Sequence, residues 1–172
     1  MSDNNNRSLL TALVLSAAGL VGIAVSEGYS DKAYPDPVLG TRVPTIGFGT
    51  TAGVHMGDTT TPVRALARKL VDVQAFEGAL KRCVQVPLHQ YEYDAFINLA
   101  YNIGPAAFCG STLVRLLNAQ DYAGACDAIL KWHFVGTVDC SAPGNKTCPG
   151  LWARRQQTRN LCLGNAATGG QP

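Results

Sequence analysis

Between Leu9 and Val25 the chain carries no charge, and only Thr11 and Ser16 interrupt a run of apolar and small residues. As one helix, at about 1.5 Å per residue, this stretch reaches ~25 Å, just short of a typical hydrocarbon core. Ala12, Ala17, Ala18, Gly19, Gly22 and Ala24 weaken it further, because they contribute little transfer energy beside leucine or isoleucine. Four fates fit such a run: a cleaved signal peptide, a permanent anchor, an anchor able to leave the bilayer, or the buried first helix of a soluble domain. Cleavage after Ala18 would leave apolar residues up to Val25, and cleavage after Ser26 would make Glu27 the new N-terminus. In a membrane-inserted form, Arg7 and the amino terminus favour a cytoplasmic start with everything after Val25 outside.

The remainder is long enough for one core. At 172 residues and 47% hydrophobic content, one main domain with an N-terminal appendage is expected rather than two large domains. A net charge of +2, with no basic run interleaved with aromatics, gives no footing for nucleic acid. Cys83, Cys109, Cys126, Cys140, Cys148 and Cys162 form an even set without Cys-x-x-Cys, and His55, His89 and His133 have no metal-site spacing. No structural metal is therefore expected; the cysteines read as disulfides of an oxidising compartment, against the alternative of buried free thiols.

Lys32 to Thr61 is dense in Pro, Gly and Thr around a short β-rich run, Val43 to Phe48, which predicts a small β lobe. After Pro62, a good first-turn residue, Leu66, Leu70, Val73, Phe76 and Leu80 predict an amphipathic helix over Val63 to Val84. Similar spacing predicts helices over Gln90 to Tyr101, Thr112 to Asn118, Tyr122 to Lys131 and Leu151 to Leu163. They are broken at Gly104-Pro105 and by a loop from Val135 to Gly150. The tail from Gly164 is small and polar, and is expected to be disordered.

Only three glutamates are present. Glu77 is expected on the polar side of its helix, and Glu92 near a helix start, where a carboxylate complements the macrodipole. Glu27 differs, since it follows the apolar run and precedes Gly28; half buried at a helix end, it would keep a proton for general acid catalysis. Asp36 lies nine positions on, between Pro35 and Pro37. Alone it reads as a turn residue. Paired with Glu27 across two lobes, it would supply the second carboxylate that glycoside hydrolysis uses.

Glu27, Gly28, Tyr34, Asp36 and Thr45-Ile46-Gly47-Phe48-Gly49 together resemble the phage T4 lysozyme family, glycoside hydrolase family 24, whose members carry Glu, eight residues, Asp, a short spacer and Thr-x-Gly-x-Gly. The resemblance extends through most of the chain after Ser26, with Ala100-Tyr101-Asn102-Ile103-Gly104 similar to the cleft-floor segment. Gly150-Leu151-Trp152-Ala153-Arg154-Arg155 is similar to the family's Gly-Leu-x-x-Arg-Arg helix start. It implies an α+β, lysozyme-like fold with a small N-terminal β lobe, a larger helical lobe and an N-terminal apolar helix. It further implies a cofactor-free, monomeric endolysin that hydrolyses the β-1,4 bond between N-acetylmuramic acid and N-acetylglucosamine in peptidoglycan. Glu27 would be the general acid, with Asp36 and Thr45 holding the attacking water to give inversion. Tyr34, Asn102 and Arg154 would contact substrate. Asn102 has a helix C-cap as its bland alternative, and a structural role is expected of at least one of Arg154 and Arg155.

The same resemblance divides the chain into a cytoplasmic tip and anchor (1–26), a catalytic domain (27–163) and a flexible tail (164–172). Some family members have N-terminal signal anchors that first tether and later escape, and the run at 9–25 is similar to those. The inner membrane is then the first partner, with the enzyme facing the periplasm and later released into it. Because the run ends next to Glu27, tethering would keep the helix bearing the acid from docking, and collapse of the proton-motive force is the implied trigger. Ala18 and Gly22 have helix pairing in the membrane as a bland reading. Among 15 possible connectivities, family resemblance and loop closure favour Cys83 with Cys109, Cys126 with Cys162, and Cys140 with Cys148.

Two features depart from the pattern: Val38 to Val43 lengthen the hairpin between Asp36 and Thr45, and Thr50 stands where many relatives have His, so any ion pair made by that His is missing. Other chemistries fit less well. Gly47-Phe48-Gly49-Thr50-Thr51-Ala52 matches a dinucleotide fingerprint, but a polar loop, not a helix, follows it, and there is no Gly-x-Ser-x-Gly elbow. A lytic transglycosylase, which uses a single acid, leaves Asp36 and Thr45 unexplained. A non-catalytic, membrane-anchored wall-binding protein requires that Glu27 be dispensable.

Overall fold

The computed structural model describes residues 6–36 and 40–165. The tail beyond Asn165, and Val38 and Leu39 of the lengthened hairpin, lie outside the described residues. The chain forms two compact units, one of Met1–Ser16 with Phe76–Pro172 and the other of Ala17–Ala75. Seven α-helices and two small antiparallel sheets among the described residues give the expected α+β architecture.

The unit of residues 17–75 opens with α1 (Ala17–Glu27). The helix stops at Gly28, whose φ of +72° places it in the left-handed region that glycine adopts without a Cβ clash. Strands β1 (Ser30–Asp36) and β2 (Gly40–Gly47) pair with Tyr34 opposite Thr45, Pro35 opposite Pro44 and Asp36 opposite Gly40. The register shifts between Pro35 and Asp36. Two facing prolines offer no N–H, so a regular ladder cannot be continued there. Helix α2 (Pro62–Cys83) follows, with the Thr61 hydroxyl accepting from the Arg64 N–H as its cap. Its first half belongs to this unit and its last turns to the other.

The buried side of α2 keeps Val73 and Leu80 of the expected stripe and departs from it in the first turns. Ala65, Lys69 and Val73 are buried, whereas Leu70 is 40% exposed. The small Ala65 explains the choice of face. A Cβ on Gly47 would lie 2.7 Å from the Ala65 Cβ, so the hairpin end approaches α2 more closely than any leucine would allow.

In the other unit, α3 (Gln90–Ile103) is the central element, with Tyr93, Ala95, Phe96, Ile97, Leu99 and Ala100 all fully buried. Burial on nearly every side is the pattern of a core helix. It ends at Gly104 (φ +88°), and Pro105 then starts the short helix α4 (Pro105–Cys109), a fixed-φ residue at the position where its missing N–H has no partner to lose. Helix α5 (Thr112–Asn118) is capped by Ser111, whose hydroxyl accepts from Val114 N–H. Helix α6 (Tyr122–Ala128) is capped by Asp121, which accepts from Gly124 N–H. The loop expected after Val135 contains a two-residue hairpin, β3 (Phe134–Val135) with β4 (Val138–Asp139), before α7 (Leu151–Cys162). Disulfides join Cys83 to Cys109, Cys126 to Cys162 and Cys140 to Cys148.

The apolar N-terminal run is not one continuous helix. Leu10–Ala12 form a single 3-10 turn, the chain is irregular through Ser16, and α1 starts at Ala17. Leu13 and Leu15 are buried while Val14 is 64% exposed, the in-out alternation of extended chain. The reason lies in where the backbone donors go. The Leu15 N–H donates to Glu77 (2.7 Å) and the Ser16 N–H to Asp94 (3.0 Å), so neither can join a helical ladder. Arg7 closes the segment with two bonds to Glu92 (2.7 and 3.0 Å) and stacks over the Tyr122 ring. Glu77, expected on a solvated face, is therefore a half-buried acceptor that also accepts a hydrogen bond from the Tyr93 hydroxyl (2.8 Å). Glu92 does sit in the first turn of its helix, where it also accepts from the His89 N–H. Among the described residues no helix is long and apolar enough to cross a membrane.

Candidate active site

Glu27 is the last residue of α1 and is half buried. Its carboxylate lies against the backbone of Gly49: a Cβ there would come 3.0 Å from Glu27 Oε2. Gly49 has φ +79° and Gly47 φ +65°, so both glycines of the Thr-x-Gly-x-Gly run serve a turn and a close approach at once. The turn is pinned by reciprocal backbone bonds between Ile46 and Thr50 (2.9 and 3.0 Å). Tyr29 and Phe48 pack beside it with tilted rings, centroids 5.2 Å apart.

Thr45 sits on β2, 6% exposed, opposite Tyr34. Its hydroxyl has no hydrogen-bond partner among the described residues. Such a buried orphan is uncommon in a folded protein and calls for a physical reason, such as a water or a ligand atom that it serves. Asp36 closes β1; its side chain lies outside the described part of the structure.

Thr50, in the position of the missing histidine, is buried and donates its hydroxyl proton to Asp72 Oδ2 (2.6 Å). Lys69, one turn before Asp72 on α2, is completely buried. Burial pulls its ammonium below the usual lysine range, while the carboxylates of Glu27 and then Asp72 push it back up. The sequence reading missed Lys69, although Ala65, Lys69 and Val73 at four-residue intervals mark one face of α2.

Glu27, Tyr34, Asp36 and Thr45 all belong to the unit of residues 17–75, and Asn102 and Arg154 to the other. Within that other unit Arg154 Nη1 donates to Asn102 Oδ1 (3.0 Å), and Asn102 Nδ2 donates to the Asn98 carbonyl (3.1 Å). Gly104, not Asn102, caps α3. Arg155 is buried, with Nε on the Trp132 carbonyl (2.8 Å); burial first, then Arg154, lowers its pKa to about 10. No cluster of three or more His, Cys, Asp or Glu suited to a metal occurs among the described residues.

Comparison with known proteins adds kinship to this geometry. The profile of the family described as Phage lysozyme matches residues 24–158. An endolysin of Salmonella phage P22 is 39% identical over 127 residues, covering 71% of this chain and 85% of the relative. A protein named SAR-endolysin, from Pseudomonas phage phiKMV, is 36% identical over 147 residues, covering 86% and 87%. The solved muramidase domain of SpmX from Asticaccaulis excentricus superposes with a TM-score of 0.76 at 28% identity, covering 87% of this chain and 97% of that domain.

Proposed function

Because this chain belongs to the phage lysozyme family and is thereby a peptidoglycan-lysing endolysin, we propose that it hydrolyses the β-1,4 bond between N-acetylmuramic acid and N-acetylglucosamine with inversion. Glu27 donates its proton to the leaving glycosidic oxygen. Asp36 and Thr45 hold a water on the opposite face of the sugar; it attacks the anomeric carbon as the bond to the leaving oxygen breaks, and Asp36 takes the water's proton. The observation that carries this reading is the buried hydroxyl of Thr45, without a hydrogen-bond partner among the described residues and in the same unit as the carboxylate of Glu27. Tyr34, Asn102 and Arg154 are assigned to substrate, Asn102 with its amide already oriented by Arg154.

Control by the membrane is the second part of the proposal. Residues 1–26 serve first as a tip and anchor through 9–25 and then, on release into the periplasm, as part of the folded enzyme. Support comes from the charge-free run and from relatives named SAR-endolysin. The bonds of Leu15, Ser16 and Arg7 to Glu77, Asp94 and Glu92 support it too, since a segment held by these acids cannot at the same time lie in a bilayer. A fractionation time course should find the protein first with membranes and later soluble; solubility from synthesis onward refutes the tether.

The catalytic reading is tested by digesting purified peptidoglycan with the wild type and with Glu27→Gln, identifying product ends by mass spectrometry and the initial anomer by NMR. Reducing muramic ends of inverted configuration from the wild type alone are expected. Anhydro ends would make the enzyme a transglycosylase, and equal activity of the variant would remove Glu27 from the chemistry.

A further inference from the structure

Lys69 is a buried cation that the hydrolytic scheme leaves unused. It lies on α2 one turn before Asp72, whose Oδ2 accepts the Thr50 hydroxyl proton (2.6 Å). Thr50 follows Gly49, against which the Glu27 carboxylate rests. The charges that act on the ammonium are those of Glu27 from α1 and Asp72 from its own helix, and Thr50, which meets Asp72 from the end of the β hairpin, is uncharged. Where the family pattern has a histidine, this chain therefore has a neutral hydroxyl, and positive charge reaches the cluster from a different element.

We propose that Lys69 is a positioning residue of the hydrolytic site: from α2 it supplies the buried positive charge that balances Asp72 while Glu27 carries its proton, and holds the Glu27 carboxyl in place for proton donation. This rests on Glu27 as the general acid. When the Glu27 O–H bond breaks and its proton passes to the glycosidic oxygen, the electron pair stays on a carboxylate that the ammonium stabilises. A lysine in this place thus eases proton release, whereas Asp72 opposes it and keeps the charge of the cluster from becoming net positive.

The test compares intact, disulfide-bonded wild type, Lys69→Met, Lys69→Arg and Asp72→Asn on purified peptidoglycan, with kcat and KM measured as a function of pH. Loss of the cation should move the alkaline limb of the kcat profile up by about one unit or more and lower kcat about tenfold, with KM within about twofold. Lys69→Arg should return the limb toward its wild-type position, and Asp72→Asn should move it the opposite way. A folded Lys69→Met enzyme with an unmoved limb overturns the proposal, as does an equal effect on kcat and KM. Should the methionine variant not fold, an unmoved limb in Asp72→Asn overturns it equally. Activity in Glu27→Gln removes the general-acid reading and this proposal with it; an inactive Glu27→Gln beside an unmoved limb removes the proposal alone.

Discussion

Two buried threonines five positions apart should respond to the same substitution with opposite sign. Thr45 is 6% exposed and its hydroxyl has no partner among the described residues, whereas Thr50 is 3% exposed and donates to Asp72 at 2.6 Å. Valine keeps the shape of threonine and replaces the hydroxyl with a methyl group. At Thr45 that removes an unpaired polar group whose desolvation costs about 1–3 kcal/mol, so Thr45→Val should gain about 1 kcal/mol, or about 2–4 °C in Tm for a chain of this size. At Thr50 it breaks a hydrogen bond to a charged acceptor, with an expected loss of about 1.5–3 kcal/mol. Activity should not follow stability. If Thr45 holds the attacking water, its valine variant should lose about 100-fold or more in kcat while becoming harder to unfold. Urea or thermal unfolding of the two variants, with peptidoglycan digestion on the same preparations, measures both quantities. Loss of stability in both variants to a similar degree would falsify the inference that Thr45 is an orphan, and an unchanged kcat in a stabilised Thr45→Val enzyme would separate the orphan from catalysis.

Three further outcomes follow from the larger unit. Replacing each disulfide pair should cost stability in the order of the chain length closed: about 4 kcal/mol for Cys126–Cys162 (separation 36), about 3.5 for Cys83–Cys109 (26) and about 2.5 for Cys140–Cys148 (8). A reversed order in denaturant unfolding under oxidising conditions would rule out loop closure as the source. Arg7→Met leaves the Glu92 carboxylate, only 3% exposed, without its cation, and should cost about 3 kcal/mol. Much of this should be absent when Glu92→Gln is made as well, which a double-mutant cycle reads directly. Tyr93 is held in its protonated form by burial, and then by its bond to Glu77, so its folded pKa is raised far above the ordinary value of 10. The folded state keeps that proton while the unfolded chain releases it near pH 10. The stabilisation is therefore complete below pH 10 and is lost as pH rises beyond it. Tyr93→Phe should flatten that alkaline loss, and curves that superimpose with the wild type would exclude Tyr93 as its cause.

Local pattern alone determined the helices after Pro62, the β-rich run near Val43 to Phe48 and the glycine turn beside the candidate acid. Periodicity, capping residues and glycine conformation act over a few residues, so they are written in neighbours along the chain. The two glycines of Thr45-Ile46-Gly47-Phe48-Gly49 could be found in this way, but what demands them is the approach of Ala65 to Gly47 and of Glu27 to Gly49. Tertiary structure alone decided which side of the first turns of α2 is buried. An apolar count favoured Leu70, yet close passage of the hairpin requires the small Ala65 ridge, and that ridge carries Lys69 into the interior. Distance in sequence hid the partners of Glu77 and Asp94, which accept backbone donors 62 and 78 positions away and thereby divide an apolar run that reads as one helix. A sequence shows which groups need partners. Only the folded chain shows who meets them, because hydrogen bonds and buried charges are settled between elements whose separation along the chain carries no signal.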